Sequence, residues 1–211
     1  MISPELMRYA EEFTDEELPV LKKLNRETNM KTVKPRMLSG HMQGRLLQIF
    51  SRMMQPTKIL EIGTFTGYSA ICLSAGLKEN GMIHTIEYNP EMEDICKKYF
   101  KEAGIYNQVK LHIGKAIEII PTIKDVFDLV FIDADKENNL TYYNLVFDKV
   151  KTGGFIIADN VLWDGKVLKS PKPSDKETIG IIEFNNFVKT DTRVEKFLIP
   201  FRDGLMILRK K

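Results

Sequence analysis

Apolar and polar positions alternate in blocks from residue 57 onward. Short apolar, β-branched runs at 58–62, 82–87, 108–113, 127–132 and 154–158 read as strands. Helical patterns lie between them near 68–79, 90–103, 115–121 and 138–150. Strands alternating with helices predict right-handed βαβ units and a parallel sheet. The ending differs. A helix near 176–189 precedes runs at 194–200 and 205–208, joined by Phe201-Arg202-Asp203-Gly204. Asp-Gly between two apolar runs predicts a hairpin. The expected fold is α/β, a seven-stranded, mostly parallel sheet with an antiparallel C-terminal hairpin and helices on both faces. Residues 1–55 read as helices only, with Leu18, Leu21 and Leu24 at helical spacing. Met37, His41, Gly44, Leu47 and Phe50 fall near one stripe of a later helix that Pro35 precedes. The expectation is a single domain over 1–211, with 1–55 as a helical cap on a core of 56–211.

Composition narrows the class. A chain of 211 residues with 43% hydrophobic content can bury a real core. A net charge of +2 argues against a dedicated nucleic-acid binder. The two cysteines, Cys72 and Cys96, lie in predicted helices, which suits a reducing compartment rather than a disulfide scaffold. Neither a signal-peptide pattern nor a membrane-length apolar run is present, so the expected location is the cytoplasm. The 166–176 segment, with Pro171, Pro173 and several lysines, reads as a long exposed loop.

Two strand ends carry candidate chemistry. Phe131-Ile132-Asp133-Ala134-Asp135-Lys136 and Ile156-Ile157-Ala158-Asp159-Asn160 both place acids just beyond an apolar run. Ligands of open α/β sheets bind beyond the carboxyl ends of the strands. Asp133, Asp159 and Asn160 offer only hard oxygen donors, which suit Mg²⁺, Mn²⁺ or Ca²⁺. Taken singly, Asp133 and Asp135 read as helix N-caps and Asp159-Asn160 as a turn pair. One shared site explains them together. Lys136 is a surface lysine or, beside a cation that lowers its pKa, a general base. Trp163 either walls an aromatic substrate or packs in the core.

Glu61-Ile62-Gly63-Thr64-Phe65-Thr66-Gly67-Tyr68-Ser69 is a strand running into a glycine turn and a helix, where a ligand can approach the backbone closely. Its Gly-x-x-x-Gly spacing is not the dinucleotide fingerprint. Glu87 ends the next strand about 20 residues after Gly67, where an acid can accept both hydroxyls of a ribose. Glu61 either orients the loop or meets a ligand's ammonium group. Gly114-Lys115-Ala116 either borders an adenine or is a simple turn. His41, His84 and His112 are scattered and receive no chemistry.

These motifs, with Asp159-Asn160-Val161-Leu162-Trp163-Asp164-Gly165 and Asp203-Gly204-Leu205, resemble those of the metal-dependent O-methyltransferases, the group of caffeoyl-CoA and catechol O-methyltransferases. The resemblance runs from about residue 30 to the C-terminus. It implies a Rossmann-like class I fold with S-adenosylmethionine as methyl donor and a divalent cation on Asp133, Asp159 and Asn160. Lys136 would be the base, with Asp133 beside it. Met37, Ser39, Glu61, Gly63, Ser69, Glu87, Ala116, Asp133 and Asp135 would line or cover the donor pocket. Asp135 leans toward the caffeoyl-CoA branch. The implied acceptor is a vicinal dihydroxy aromatic small molecule, and the implied assembly a homodimer. The alternative is a hydroxylated nucleoside in tRNA, for which 166–172 with Lys210 and Lys211 would have to form a phosphate-binding patch.

Overall fold

The computed structural model describes residues 3–211. The chain runs α1 (Pro4–Glu12), α2 (Pro19–Lys31), α3 (Gly40–Met54), β1 (Lys58–Ile62), α4 (Tyr68–Ser74), β2 (Met82–Glu87), α5 (Glu93–Glu102), β3 (Val109–Ile113) and α6 (Ala116–Ile119). It continues through β4 (Phe127–Ile132), α7 (Asn139–Phe147), β5 (Val150–Asp159), α8 (Lys176–Thr190), β6 (Val194–Ile199) and β7 (Leu205–Lys210). The seven strands form one sheet in the order β3-β2-β1-β4-β5-β7-β6. β1 through β5 pair in parallel, while β7 runs antiparallel to both β5 and β6. The α/β expectation and the antiparallel C-terminal hairpin therefore hold. The strand order reverses between β1 and β4, so their carboxyl ends open a crevice.

Alternation within each strand divides the core into two layers. Leu60, Ile62, Val130, Ile132, Ile156 and Ala158 face α7 and α8, packing on Tyr143, Val146, Phe184 and Val188. Ile59, Ile83, Leu129, Phe131 and Ile157 face the other way, onto Leu21, Leu24, Leu47, Tyr68 and Phe100. Side chains of period two, apolar on both faces, are what a parallel sheet covered by helices requires.

Several boundaries differ from the expected ones. β5 begins at Val150, because Val150 pairs with Phe127 ahead of a register shift. The predicted 68–79 helix ends at Ser74, since the chain there runs against α3. A Cβ on Gly76 would lie 2.0 Å from the Ser51 carbonyl carbon. Met37 lies outside α3, in a 3-10 turn over Pro35–Met37. Leu38 and Ser39 separate the two, and α3 starts at Gly40 with φ +74°. Cys72 and Cys96 are free and buried. Among the described residues, no helix is long and apolar enough to cross a membrane.

His84 and His112 pair across β2 and β3. Their facing nitrogens, Nδ1 and Nε2, are 3.2 Å apart. His84 Nε2 lies 3.0 Å from the Asp125 carboxylate, whose other oxygen meets Lys58. Burial pushes the His84 pKa down to about 4, against the pull of Asp125. A depressed base favours the unfolded chain once the unfolded imidazole binds a proton. Stability should therefore fall as pH drops through 6.5 and level off below 4, by about 2 kcal/mol between pH 7 and 5. Denaturant unfolding at the two pH values should show the gap between wild type and His84→Asn narrowing by that amount. A constant gap would mean that His84 does not titrate with folding.

Candidate active site

The acidic cluster forms where β4 and β5 end side by side. β4 pairs with β5 up to Ile132 and Ala158, so the next residue on each strand, Asp133 and Asp159, emerges at the same edge. Asp133 N–H donates to the Ile62 carbonyl at 2.8 Å, which ties the β4 exit to the end of β1. Asp159 is buried at 4% exposure. Burial, followed by the nearby charge of Asp133, raises its carboxyl above the usual range, while Lys136 and hydrogen bonds from Gln43 and Asn160 oppose the rise. Two carboxylates that repel in a dry site are an arrangement that positive charge relieves.

That positive charge is partly present already. Lys136 Nζ donates to Asp133 Oδ1 at 2.9 Å, and the lysine is only 5% exposed. Buried lysines are rare unless paired, so the reading of Lys136 as a surface residue is overturned. Asn160 sits at φ +62°, a left-handed conformation that asparagine tolerates. Its N–H donates to Asp159 Oδ1 at 2.7 Å. Among the described residues, no group of three or more His, Cys, Asp or Glu side chains gathers as a metal site. The set available at this edge is two carboxylates and one amide. Oxygen ligands of this kind fit a hard cation that keeps several waters or takes substrate oxygens.

Two polar side chains join the cluster from distant segments, and no sequence motif singled them out. Gln43 on α3, 2% exposed, donates through Nε2 to Asp159 Oδ2 at 2.5 Å. Arg202 in the β6–β7 turn donates through Nη1 to Gln43 Oε1 at 2.8 Å and also to the Ser39 carbonyl. The pairs are 116 and 159 residues apart. The sequence leaves no local trace of this link, since α3 also buries the polar Gln48 and Ser51.

The glycine turn after β1 forms the neighbouring wall. Gly63 and Gly67 adopt φ +98° and +92°, with Phe65 at +50° between them. Gly63 and Thr64 N–H groups both donate to the Ile86 carbonyl at the end of β2. The Glu87 carboxylate accepts from Phe65 N–H at 2.6 Å and Asn89 N–H at 2.8 Å, while burial raises its pKa. Glu61 is fully buried. Its Oε2 accepts from the Thr85 hydroxyl at 2.5 Å, and Oε1 has no hydrogen-bond partner. Burial pushes Glu61 up to about 8, with Ser69 and Thr85 pulling the other way. A buried carboxyl with one oxygen unpartnered, beside an open glycine turn, is suited to a cationic ligand group. Ser69 and Ala116 are also buried along these strand ends.

Not every candidate joins this cluster. Met37 is 57% exposed. Asp135 accepts hydrogen bonds from the Tyr142 hydroxyl and the Asn138 amide. Trp163 is half-buried with Lys166 Nζ 5.6 Å above its ring, outside both core layers.

Comparison with known proteins agrees with this geometry. The model of a family described as O-methyltransferase matches residues 11–211. A catechol O-methyltransferase from Niastella koreensis is 35% identical over 74% of the chain and 72% of its own length. A caffeoyl-CoA O-methyltransferase from Medicago sativa is 30% identical over 80% of the chain and 72% of its own length. The O-methyltransferase TomG from Streptomyces achromogenes, solved in complex with S-adenosylmethionine, superposes with a TM-score of 0.92 at 28% identity, covering 100% of both chains.

Proposed function

The chain belongs to the O-methyltransferase family and is an S-adenosylmethionine-dependent O-methyltransferase, and from that premise we propose that it methylates one hydroxyl of a catechol-type aromatic small molecule with the help of a divalent cation. The relatives named for catechol and caffeoyl-CoA support the acceptor class. The observation that carries the cation and the base is the pairing of β4 with β5, which brings Asp133 and Asp159 to one edge with the buried Lys136 side chain 2.9 Å from Asp133.

In this reading Asp133, Asp159 and Asn160 hold the cation, Mg²⁺ or Mn²⁺ by donor type. The bound cation would supply the charge that lowers the pKa of a phenolic hydroxyl. Glu61, Gly63, Ser69, Glu87 and Ala116 border the donor, with Ser39 and Met37 toward its cover and Asp135 nearby. Glu61 Oε1 is the acceptor available to a donor ammonium group. Glu87, already fixed by two backbone N–H groups, has lone pairs left for a ribose. The sulfonium donor supplies an electrophilic methyl group. Lys136 Nζ, after giving up one proton of its ammonium to solvent, would take the phenolic proton while Asp133 orients the amine, and the new O–C bond would form as the donor's C–S bond breaks. Holding both reactants at one crevice lowers the barrier by several kcal/mol, up to about 7–11 in well-oriented intramolecular models.

Methyl transfer to caffeic acid or a simple catechol, measured with Mg²⁺ and with excess EDTA, tests the proposal. Expected is turnover that EDTA abolishes and added Mg²⁺ restores. Turnover indifferent to EDTA overturns the cation. Donor binding with no transfer to any catechol overturns the acceptor class.

A further inference from the structure

We propose that Gln43 and Arg202 are positioning residues that hold the Asp159 carboxylate for a cation; the inference rests on the cation reading above. Asp159 would contribute oxygen atoms to a site formed with residues from another strand end, so its rotamer decides whether the site exists. Two donors hold it: Asn160 N–H on Oδ1 and Gln43 Nε2 on Oδ2. A carboxylate offers about four lone-pair directions, so two bonds leave room for a ligand.

The amide of Gln43 could face Asp159 in either sense, and Arg202 removes that freedom. A guanidinium has donors only, so it fixes Gln43 Oε1 toward itself and leaves Nε2 for Asp159. Both ends of the amide thus agree on one orientation, the one that an ionised carboxylate accepts. The same Nη1 reaches the Ser39 carbonyl, which locks the start of α3 to the hairpin turn. The chain Arg202–Gln43–Asp159 crosses three segments distant in sequence, and its central residue is 2% exposed.

The backbone of Arg202 strengthens the assignment. It adopts φ +52°, a left-handed conformation that arginine rarely takes and glycine adopts freely. Within that turn, Phe201 N–H donates to the Ile199 carbonyl and Gly204 N–H to the Phe201 carbonyl. Neither bond involves the arginine side chain. The turn also fastens the segment after Asn160. Val161 and Leu162 N–H groups donate to the Gly204 and Asp203 carbonyls, and Asp164 N–H to the Asp203 carboxylate. The turn therefore grips the end of β5 by its backbone and reaches the Asp159 carboxylate through Gln43.

The test is calorimetric titration of Mn²⁺ alone into protein saturated with S-adenosylhomocysteine, for wild type, Arg202→Gly, Arg202→Lys and Gln43→Met. Loss of groups that orient metal ligands commonly weakens binding 10–100-fold, and that loss is expected for Arg202→Gly and Gln43→Met. Arg202→Lys, which keeps a donor for Gln43, should lose less. S-adenosylhomocysteine affinity should stay within about twofold. The melting temperature of Arg202→Gly should fall by only a few degrees, because relief of the left-handed strain offsets part of the lost hydrogen bonds. Unchanged Mn²⁺ affinity in both strong variants overturns the inference, as does a parallel fall in cofactor affinity and melting temperature. Wild-type protein that binds no Mn²⁺ overturns the cation reading and this inference with it.

Discussion

Replacing Lys136 with methionine should lower kcat by about 10²–10⁴-fold, the usual contribution of a positioned general base, while leaving cation affinity equal to or tighter than wild type. The two effects diverge for a physical reason. Lys136 is 5% exposed and lies 2.9 Å from Asp133, so its ammonium competes with a cation for that carboxylate. Methionine fills the same space without charge. The competition then disappears, and so does the amine placed to take a phenolic proton. The unliganded variant should be less stable, because removing one partner of a buried pair leaves an uncompensated charge, a loss of about 3–5 kcal/mol when fully buried and less here. The Asp133 side chain remains 18% exposed. Mg²⁺ should therefore raise the melting temperature of Lys136→Met more than that of wild type. Steady-state kinetics and thermal melts with and without Mg²⁺ check both parts. A variant with normal kcat would make Lys136 a counter-ion and nothing more.

The same cluster shows which features are legible in the sequence. β1, β2 and β4 fall on the expected residues because each is a short run rich in apolar and β-branched residues bounded by turn formers. Asp133 and Asp159 are readable because strand-end position is a local property that topology converts into proximity. The start of β5 is not readable. Lys151-Thr152-Gly153-Gly154 has neither alternation nor apolar content, and its extension back to Val150 depends on the partner Phe127. Met37 falls on a helical stripe because period alone cannot see Gly40 interrupt the backbone. The burial of Lys136 depends on close packing of α8 over the turn that carries it. A Cβ on Gly180 would stand 2.7 Å from the Lys136 carbonyl oxygen. Gln43 and Arg202 are invisible for the same reason, since contacts between residues 116 and 159 positions apart leave no pattern in any short stretch of chain.

Gly63→Ala should cost about 3–5 kcal/mol and weaken donor and cation binding together, the largest single-methyl effect expected at this site. A Cβ there would lie 2.0 Å from the Asp133 carbonyl oxygen and 2.6 Å from its carbon. Both are backbone atoms, so no rotamer change relieves the contact. The position also requires φ +98°, which costs a residue with a side chain about 1–3 kcal/mol. Overpacking against rigid neighbours adds a similar amount. The two penalties can be separated experimentally. Gly104 has φ +73° with nothing within 4 Å of where a Cβ would stand, so Gly104→Ala reports the conformational part alone, about 1 kcal/mol. Any excess at Gly63 measures the clash. Relief of that clash must move the ends of β1 and β4 apart, which strains the Asp133 N–H bond to Ile62 and the Gly63 N–H bond to Ile86. The first displaces a proposed cation ligand and the second the donor turn. Equilibrium unfolding, with calorimetry of S-adenosylhomocysteine and Mn²⁺, should therefore show coupled losses, in contrast to the cation-only loss expected for Arg202→Gly. Equal stability costs at Gly63 and Gly104 would mean that the two strand ends can separate freely, and the rigid crevice on which the shared site depends would be lost with them.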